Sequence, residues 1–212
     1  MAADHDEADR YLAAADPVLA ALIERLGPVA PIAMPEAARG ELGALILAIV
    51  SQQFSTAAAR RMFDRVLGRF DGRVPSAPEL LAADLDELRI TAGLSHAKAR
   101  ALRSLAEHIT SGDLDLAALP SLPDDEVRRR LTAVDGVGDW TAGIFLLFTL
   151  HRPDVLVAGD LGIRKAVQSQ YALTALPDPA EVTRRAEPWR PHRTRACLYL
   201  WRSLEAAPIP AS

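Results

Sequence analysis

The sequence predicts an all-α protein, and three observations carry that reading. Apolar residues recur at helical spacing along most of the 212 residues. Capping residues and prolines stand where such stretches would begin. Sustained strand alternation is absent. Asp16-Pro17 supplies an N-cap followed by proline at the first helical position, and Leu19, Leu22, Ile23 and Leu26 form one stripe before Gly27-Pro28 ends it. The stretch 42–50 is apolar on every side, as a buried central helix would be. Ser55 is placed to cap the next helix, whose Met62, Phe63, Val66, Leu67 and Phe70 share a face. Ser76-x-x-Glu79 and Asp84-x-x-Glu87 fit capping boxes, and Ser95 can cap a helix that runs to Ile109 and ends at Ser111-Gly112. Further helices are expected over 126–133, over 140–150, after Asp160 and over 191–204.

No linker is long enough to separate independent domains. Residues 1–14 are expected to be an acidic N-terminal tail, 15–205 the working domain and 206–212 a C-terminal tail. Within 15–205 two helical lobes are expected. The helices of about 40–150 form one, and the N-terminal helix joins the C-terminal helices in the other. Apolar residues make up 50% of the chain, yet no apolar run reaches membrane-spanning length, and the acidic start does not resemble a signal peptide. A cytoplasmic location is therefore expected, with no membrane partner. The single cysteine, Cys197, excludes an intrachain disulfide and suits a reducing compartment.

The net charge of −4 does not announce a nucleic-acid binder, but its distribution qualifies that. Between Ile163 and Leu204 stand Arg164, Lys165, Arg184, Arg185, Arg190, Arg193, Arg195 and Arg202, against Asp178, Glu181 and Glu187. A local basic face can bind phosphates on an acidic protein, with modest and salt-dependent affinity.

The most informative stretch is Gly136-Val137-Gly138 between two helical patterns, followed by Asp160 before Leu161-Gly162-Ile163. Glycine at both ends of a tight turn permits positive φ and close approach to another chain. The amides opening the next helix lack intrahelical partners and suit an anionic oxygen. Such a hairpin, spanning about 126–149, can grip a DNA phosphate through main-chain groups without reading sequence. Asp160 is placed to cap the helix after it through the amide of Gly162 or Ile163, and helix-end amides favour its negative charge.

Together these features resemble the helix-hairpin-helix Gly/Pro-Asp superfamily of DNA glycosylases, and within it the 3-methyladenine DNA glycosylase II group. The pieces stand in family order: Ser51-Gln52-Gln53-Phe54-Ser55, Gly93-Leu94-Ser95-His96-Ala97-Lys98-Ala99, the hairpin, Gly159-Asp160-Leu161-Gly162-Ile163-Arg164-Lys165, and Pro188-Trp189-Arg190-Pro191 leading to Leu198-Tyr199-Leu200-Trp201. The resemblance covers roughly residues 15 to 205 and implies a cleft between two lobes for an extruded base. The chain has no room for the additional N-terminal β-domain of the group's larger members. It also lacks the cysteines for the iron–sulfur cluster of endonuclease III-like relatives.

The resemblance also implies roles. Gln53 takes the position that plugs the gap left by the flipped nucleotide; on its residue type alone it would be a polar helix-end residue. Asp160 takes the catalytic position, where a carboxylate stabilises the oxocarbenium-like transition state and orients or deprotonates water. Gly136, Val137, Gly138 and Thr141 would hold phosphate. Arg193 would either hold phosphate or support the lobe. Relatives that nick the strand carry a lysine where Trp140 stands, and an indole nitrogen cannot form that Schiff base. Trp140 and Trp201 match aromatic pocket positions suited to cationic alkyl-purines through stacking and cation–π contact. Ile144 replaces a tyrosine of some relatives, and Trp189 is expected in the core. His151 and His192 lie near the motifs without clustered partners, so no side-chain metal site is expected. A monovalent cation on hairpin carbonyls is implied by relatives.

The expectation is a monomeric, monofunctional glycosylase that hydrolyses alkylated purines, of the 3-methyladenine and 7-methylguanine type, from double-stranded DNA. A glycosylase for deaminated or oxidised bases, and a catalytically silent damage-binding protein, are the alternatives.

Overall fold

Residues 2–30, 36–38 and 40–205 are described in the computed structural model, and among them there are helices and no strands. The expected C-terminal tail, 206–212, lies outside the described residues. The helices are α1 (Ala2–Ala15), α2 (Pro17–Leu26), α3 (Glu41–Ser51), α4 (Thr56–Gly68), α5 (Ala77–Ala82), α6 (Leu85–Ala92), α7 (His96–Ser111), α8 (Asp124–Thr132), α9 (Asp139–Phe148), α10 (Leu161–Gln170), α11 (Pro179–Arg185) and α12 (Arg193–Glu205). Among the described residues no helix is long and apolar enough to cross a membrane.

Caps decide where these helices begin. Ser76 accepts from the Glu79 amide while Glu79 answers at the Ser76 amide, completing the reciprocal box. Asp84 and Ser95 accept from the third helical amide of α6 and α7. The chain divides into two compact units, residues 1–32 with 151–212, and residues 33–150.

In the 33–150 unit, α3 is the central element: Gly43 to Val50 are all buried, and α4, α7 and α9 pack against it. A helix apolar all round needs neighbours all round. In the other unit α12 plays that part, with Ala196, Cys197, Leu198, Tyr199 and Leu200 buried and α1, α2 and α10 against it. Burial pushes the Cys197 thiol up to about 12, so it packs as an inert small hydrophobe.

The acidic stretch expected to be a tail is instead α1. Leu12 is fully buried. Asp9 takes both prongs of the Arg195 guanidinium at 2.6 and 2.7 Å and the Tyr199 hydroxyl at 2.8 Å. The helix is stabilised from α12, not from its own weakly apolar stripe.

Asp16 does more than cap α2. Its Oδ1 accepts from the Val18 amide at 2.8 Å, while its Oδ2 accepts from the Trp189 indole at 2.9 Å and from the Tyr171 hydroxyl. Trp189 is fully buried, as expected of a core residue. Asp16→Ala should lower stability by about 3 kcal/mol, the sum of a lost cap and two donors stranded in the interior. Asp16→Asn, which keeps an acceptor, should lose less. Urea melts of the two variants check this, and equal losses would contradict it.

Candidate functional site

Asp160 is held before it reaches α10. The segment leading to it is pinned by the start of α12. Arg193 grips Asp154 through Nε at 2.7 Å and Nη2 at 3.0 Å, and Thr194 Oγ1 accepts from the Val155 amide at 3.0 Å. Of the two roles expected for Arg193, the observed contacts are those of support: its side chain is 13% exposed and engages the Asp154 carboxylate.

Two donors converge on Asp160. Its Oδ1 accepts from the Ile163 amide at 2.8 Å, as a cap should, and from the Trp201 indole Nε1 at 2.9 Å. The tryptophan expected only to stack therefore also positions the carboxylate. Gly162 permits the approach. A Cβ there would lie 2.9 Å from Asp160 Oδ1 and 3.2 Å from the Trp201 indole. Asp160 and Trp201 are both half-buried, which keeps them accessible while the cap fixes the carboxylate.

The hairpin lies in the 33–150 unit. Gly136 has φ +81° and sits against α7, where a Cβ would meet that of Ala101 at 2.7 Å. Gly138 departs from expectation. It is extended, with φ −100° and ψ −179°, it serves as N-cap of α9, and a Cβ there would meet nothing within 4 Å. Only the first glycine needs the left-handed region; the second leaves open space in front of the helix end. Val137 is buried, so it can serve phosphate only through its main chain. The first α9 amide to find a main-chain acceptor within the helix is that of Ala142, on Gly138 O at 3.0 Å. The amides before it are the ones helical geometry turns outward.

Thr141 is 1% exposed and its hydroxyl accepts from Gln52 Nε2 at 3.0 Å, so, like Val137, it can serve a phosphate only through its main chain. Trp140 and Ile144 stand four residues apart on one face of α9, both half-buried.

Gln53 lies just past α3, exposed, with φ +64°. A non-glycine residue held there costs about 1–2 kcal/mol, and its neighbours hold it. Gln52 caps α3 and sends its side-chain amide to Gly136 O at 2.9 Å as well as to Thr141. Lys98, from the first turn of α7, donates to Val50 O at 2.6 Å and Gln52 O at 2.9 Å, with its ammonium 4.0 Å from the centre of the Phe54 ring. Burial pulls the Lys98 ammonium down to about 8; the helix-end carbonyls and the ring face favour the charge. From the sequence, Gln52 and Lys98 stood only inside the quoted motifs and Gly162 only as a possible amide donor to Asp160; none was given the role seen here. Lys98 left a signal, since it falls on the stripe of Leu102 and Leu105 that α7 buries.

Most of the cations expected to form a basic face have partners within the chain, but Arg195 is buried and Arg193 half-buried, while Arg184 and Arg202 stay exposed on the surface. Arg164 donates to Pro177 O, Arg184 and Arg185 pair with Glu181, Arg190 and Arg193 with Asp154, Arg195 with Asp9 and Arg202 with Glu205. Among the described residues no cluster of His, Cys, Asp and Glu is arranged to hold a metal ion.

Comparison with known proteins fits this geometry. A family model described as HhH-GPD superfamily base excision DNA repair protein matches residues 46–191. DNA-3-methyladenine glycosylase 1 of Schizosaccharomyces pombe is 34% identical over 165 residues, covering 77% of this chain and 72% of that protein. Alkylbase DNA glycosidase-like protein mag2 of the same yeast is 26% identical over 93% of both. The solved structure of an S. pombe 3-methyladenine DNA glycosylase in complex with abasic DNA superposes with a TM-score of 0.85 at 30% identity, covering 95% of this chain and 98% of that one.

The two glycines of the turn should separate on substitution. Gly136→Ala combines a left-handed backbone with a clash against α7 and should cost about 2 kcal/mol or more of stability. Gly138→Ala should stay within about 0.5 kcal/mol of the parent. Chemical denaturation of both variants checks this; equal destabilisation would contradict the extended backbone at Gly138.

Proposed function

This chain belongs to the HhH-GPD superfamily of base excision DNA repair proteins, and from that premise we propose that it is a monofunctional DNA glycosylase for alkylated purines. It would act as a cytoplasmic monomer on double-stranded DNA and release 3-methyladenine- and 7-methylguanine-type bases by hydrolysis. The observation that carries the reading is Asp160, whose Oδ1 is fixed by the Ile163 amide and the Trp201 indole at the start of α10. The names of the relatives point to the same substrate class.

Phosphate is gripped by the outward amides at the start of α9, with Gly138 leaving room for the backbone to approach. Gln53 fills the gap once the nucleotide has swung out. As the glycosidic bond lengthens, positive charge grows on the deoxyribose, and the Asp160 carboxylate stabilises it without reorganising. The same carboxylate orients or deprotonates the water that attacks the anomeric carbon. An N3- or N7-alkylated purine is already cationic and a good leaving group, so no acid is required for its departure. The aromatic faces of Trp140 and Trp201 favour such rings by about 0.5–2 kcal/mol. With Trp140 at the position of the lyase lysine, no Schiff base forms there and the strand stays intact. Carbonyls of the turn suit a monovalent ion; those of Val134 and Gly136 already accept one hydrogen bond each and retain a second lone pair.

Asp160→Asn keeps an oxygen for Ile163 and Trp201 and removes the charge. Base release from methylated duplex should fall by about a hundredfold or more, with duplex affinity retained. Near-normal release would overturn the assignment. Borohydride should trap no covalent complex, and no nick should precede alkali; a trapped adduct would reassign the mechanism to an amine nucleophile.

Trp201→Phe preserves a ring and removes the hydrogen bond to Asp160. Release of a cationic and a neutral lesion should therefore fall by a similar factor, about tenfold. A loss confined to the cationic lesion would mean that the indole acts on the base alone.

A further inference from the structure

The contacts around Gln52 connect two parts that the proposed reaction uses separately. Its side-chain amide has two hydrogens, and both are spent, one on Gly136 O of the hairpin at 2.9 Å and one on the Thr141 hydroxyl at 3.0 Å. Its own carbonyl accepts from Lys98 Nζ, which also closes the end of α3 at Val50 O. Gln52 is thus tied at its side chain to α9 and its turn, and at its main chain to α7. The next residue is Gln53, whose Cα lies about 3.8 Å along a trans peptide and so inherits that position. Gln53 is exposed and left-handed, a conformation that requires support from its surroundings.

We infer that Gln52 is a positioning residue that fastens the plugging turn to the phosphate-gripping hairpin, so that insertion of Gln53 and capture of the backbone occur on one rigid element. The inference rests on the reading that Gln53 plugs the duplex and the hairpin grips it. A turn held beforehand in its inserted geometry loses little freedom on entering the stack, which favours the flipped state without adding a contact to DNA. Thr141, expected on phosphate, acts here as one of the two anchors. Lys98 acts at the other end of the same turn, through the carbonyl of Gln52 and the Phe54 ring.

The test is a double-mutant cycle on Gln52 and Gln53, read by single-turnover base release and by 2-aminopurine fluorescence beside the lesion. Gln53→Ala comes first: if it leaves release unchanged, the plug reading itself is wrong and the inference falls with it. With Gln53→Ala impaired, Gln52→Ala should slow release by about tenfold and weaken the 2-aminopurine signal, while binding to undamaged duplex stays within about twofold. In the Gln53→Ala background the same change should cost less than about twofold, because no plug remains to be positioned. Gln52→Glu keeps the stem but cannot donate, and should match Gln52→Ala, which separates the lost anchors from lost packing. The inference is overturned if Gln52→Ala releases base at the parental rate. It is equally overturned if its cost is undiminished without Gln53, or if undamaged-duplex binding falls by the same factor as release.

Discussion

Backbone groups left over at helix ends govern this molecule. A protein made of helices carries unpaired amides at each start and unpaired carbonyls at each finish, and burying them without partners is costly. The residues that matter most are the ones that answer those groups. Asp160 caps α10, Gly138 opens α9, Gln52 closes α3 and Asp16 caps α2. Three of them also do a second thing: Asp160 receives an indole, Gln52 reaches the hairpin and Asp16 receives a tryptophan and a tyrosine. The geometry proposed for catalysis and binding is a by-product of satisfying the ends. The carboxylate proposed for the chemistry is also the cap of its helix, so the two roles do not compete at that position.

Charge follows the same economy. Two arginines that look like part of a basic face in the sequence, Arg195 and Arg193, are drawn inward to Asp9 and Asp154, where each neutralises a carboxylate and fixes a segment. In the proposed reading, recognition of a polyanion leans on neutral main-chain donors, which hold a phosphate by direction more than by net charge. That arrangement suits a protein of net charge −4. It also explains why composition alone says little about the ligand.

Local rules were legible and tertiary ones were not. The caps at Asp16, Ser76, Ser95 and Asp160, the buried helix at 42–50 and the buried Trp189 all follow from residue type and spacing, since each depends on neighbours a few positions away. The conformation of Gly138 was missed because a glycine permits positive φ without requiring it; only Gly136 is forced, by Ala101 on another helix. Thr141 sits in the motif, yet whether it faces solvent depends on α3. Which of two adjacent glutamines turns inward is equally invisible, because their side chains leave a turn in different directions. Helix α1 escaped for the largest reason: its anchor, Arg195, is 186 residues away.

The division of the chain has a consequence for its birth on the ribosome. Residues 33–150 are contiguous, whereas the other unit is assembled from 1–32 and 151–212. Leu12, Leu19 and Leu22 emerge before residues 33–150 and are buried in a unit whose remaining helices follow those residues. At ~5–20 residues per second the wait is on the order of ten seconds. Throughout that interval α1 and α2 have only each other to pack against within their unit, while α3 to α9 can already close around one another. The half that carries Asp160 therefore reaches its final form only after α12 has left the tunnel.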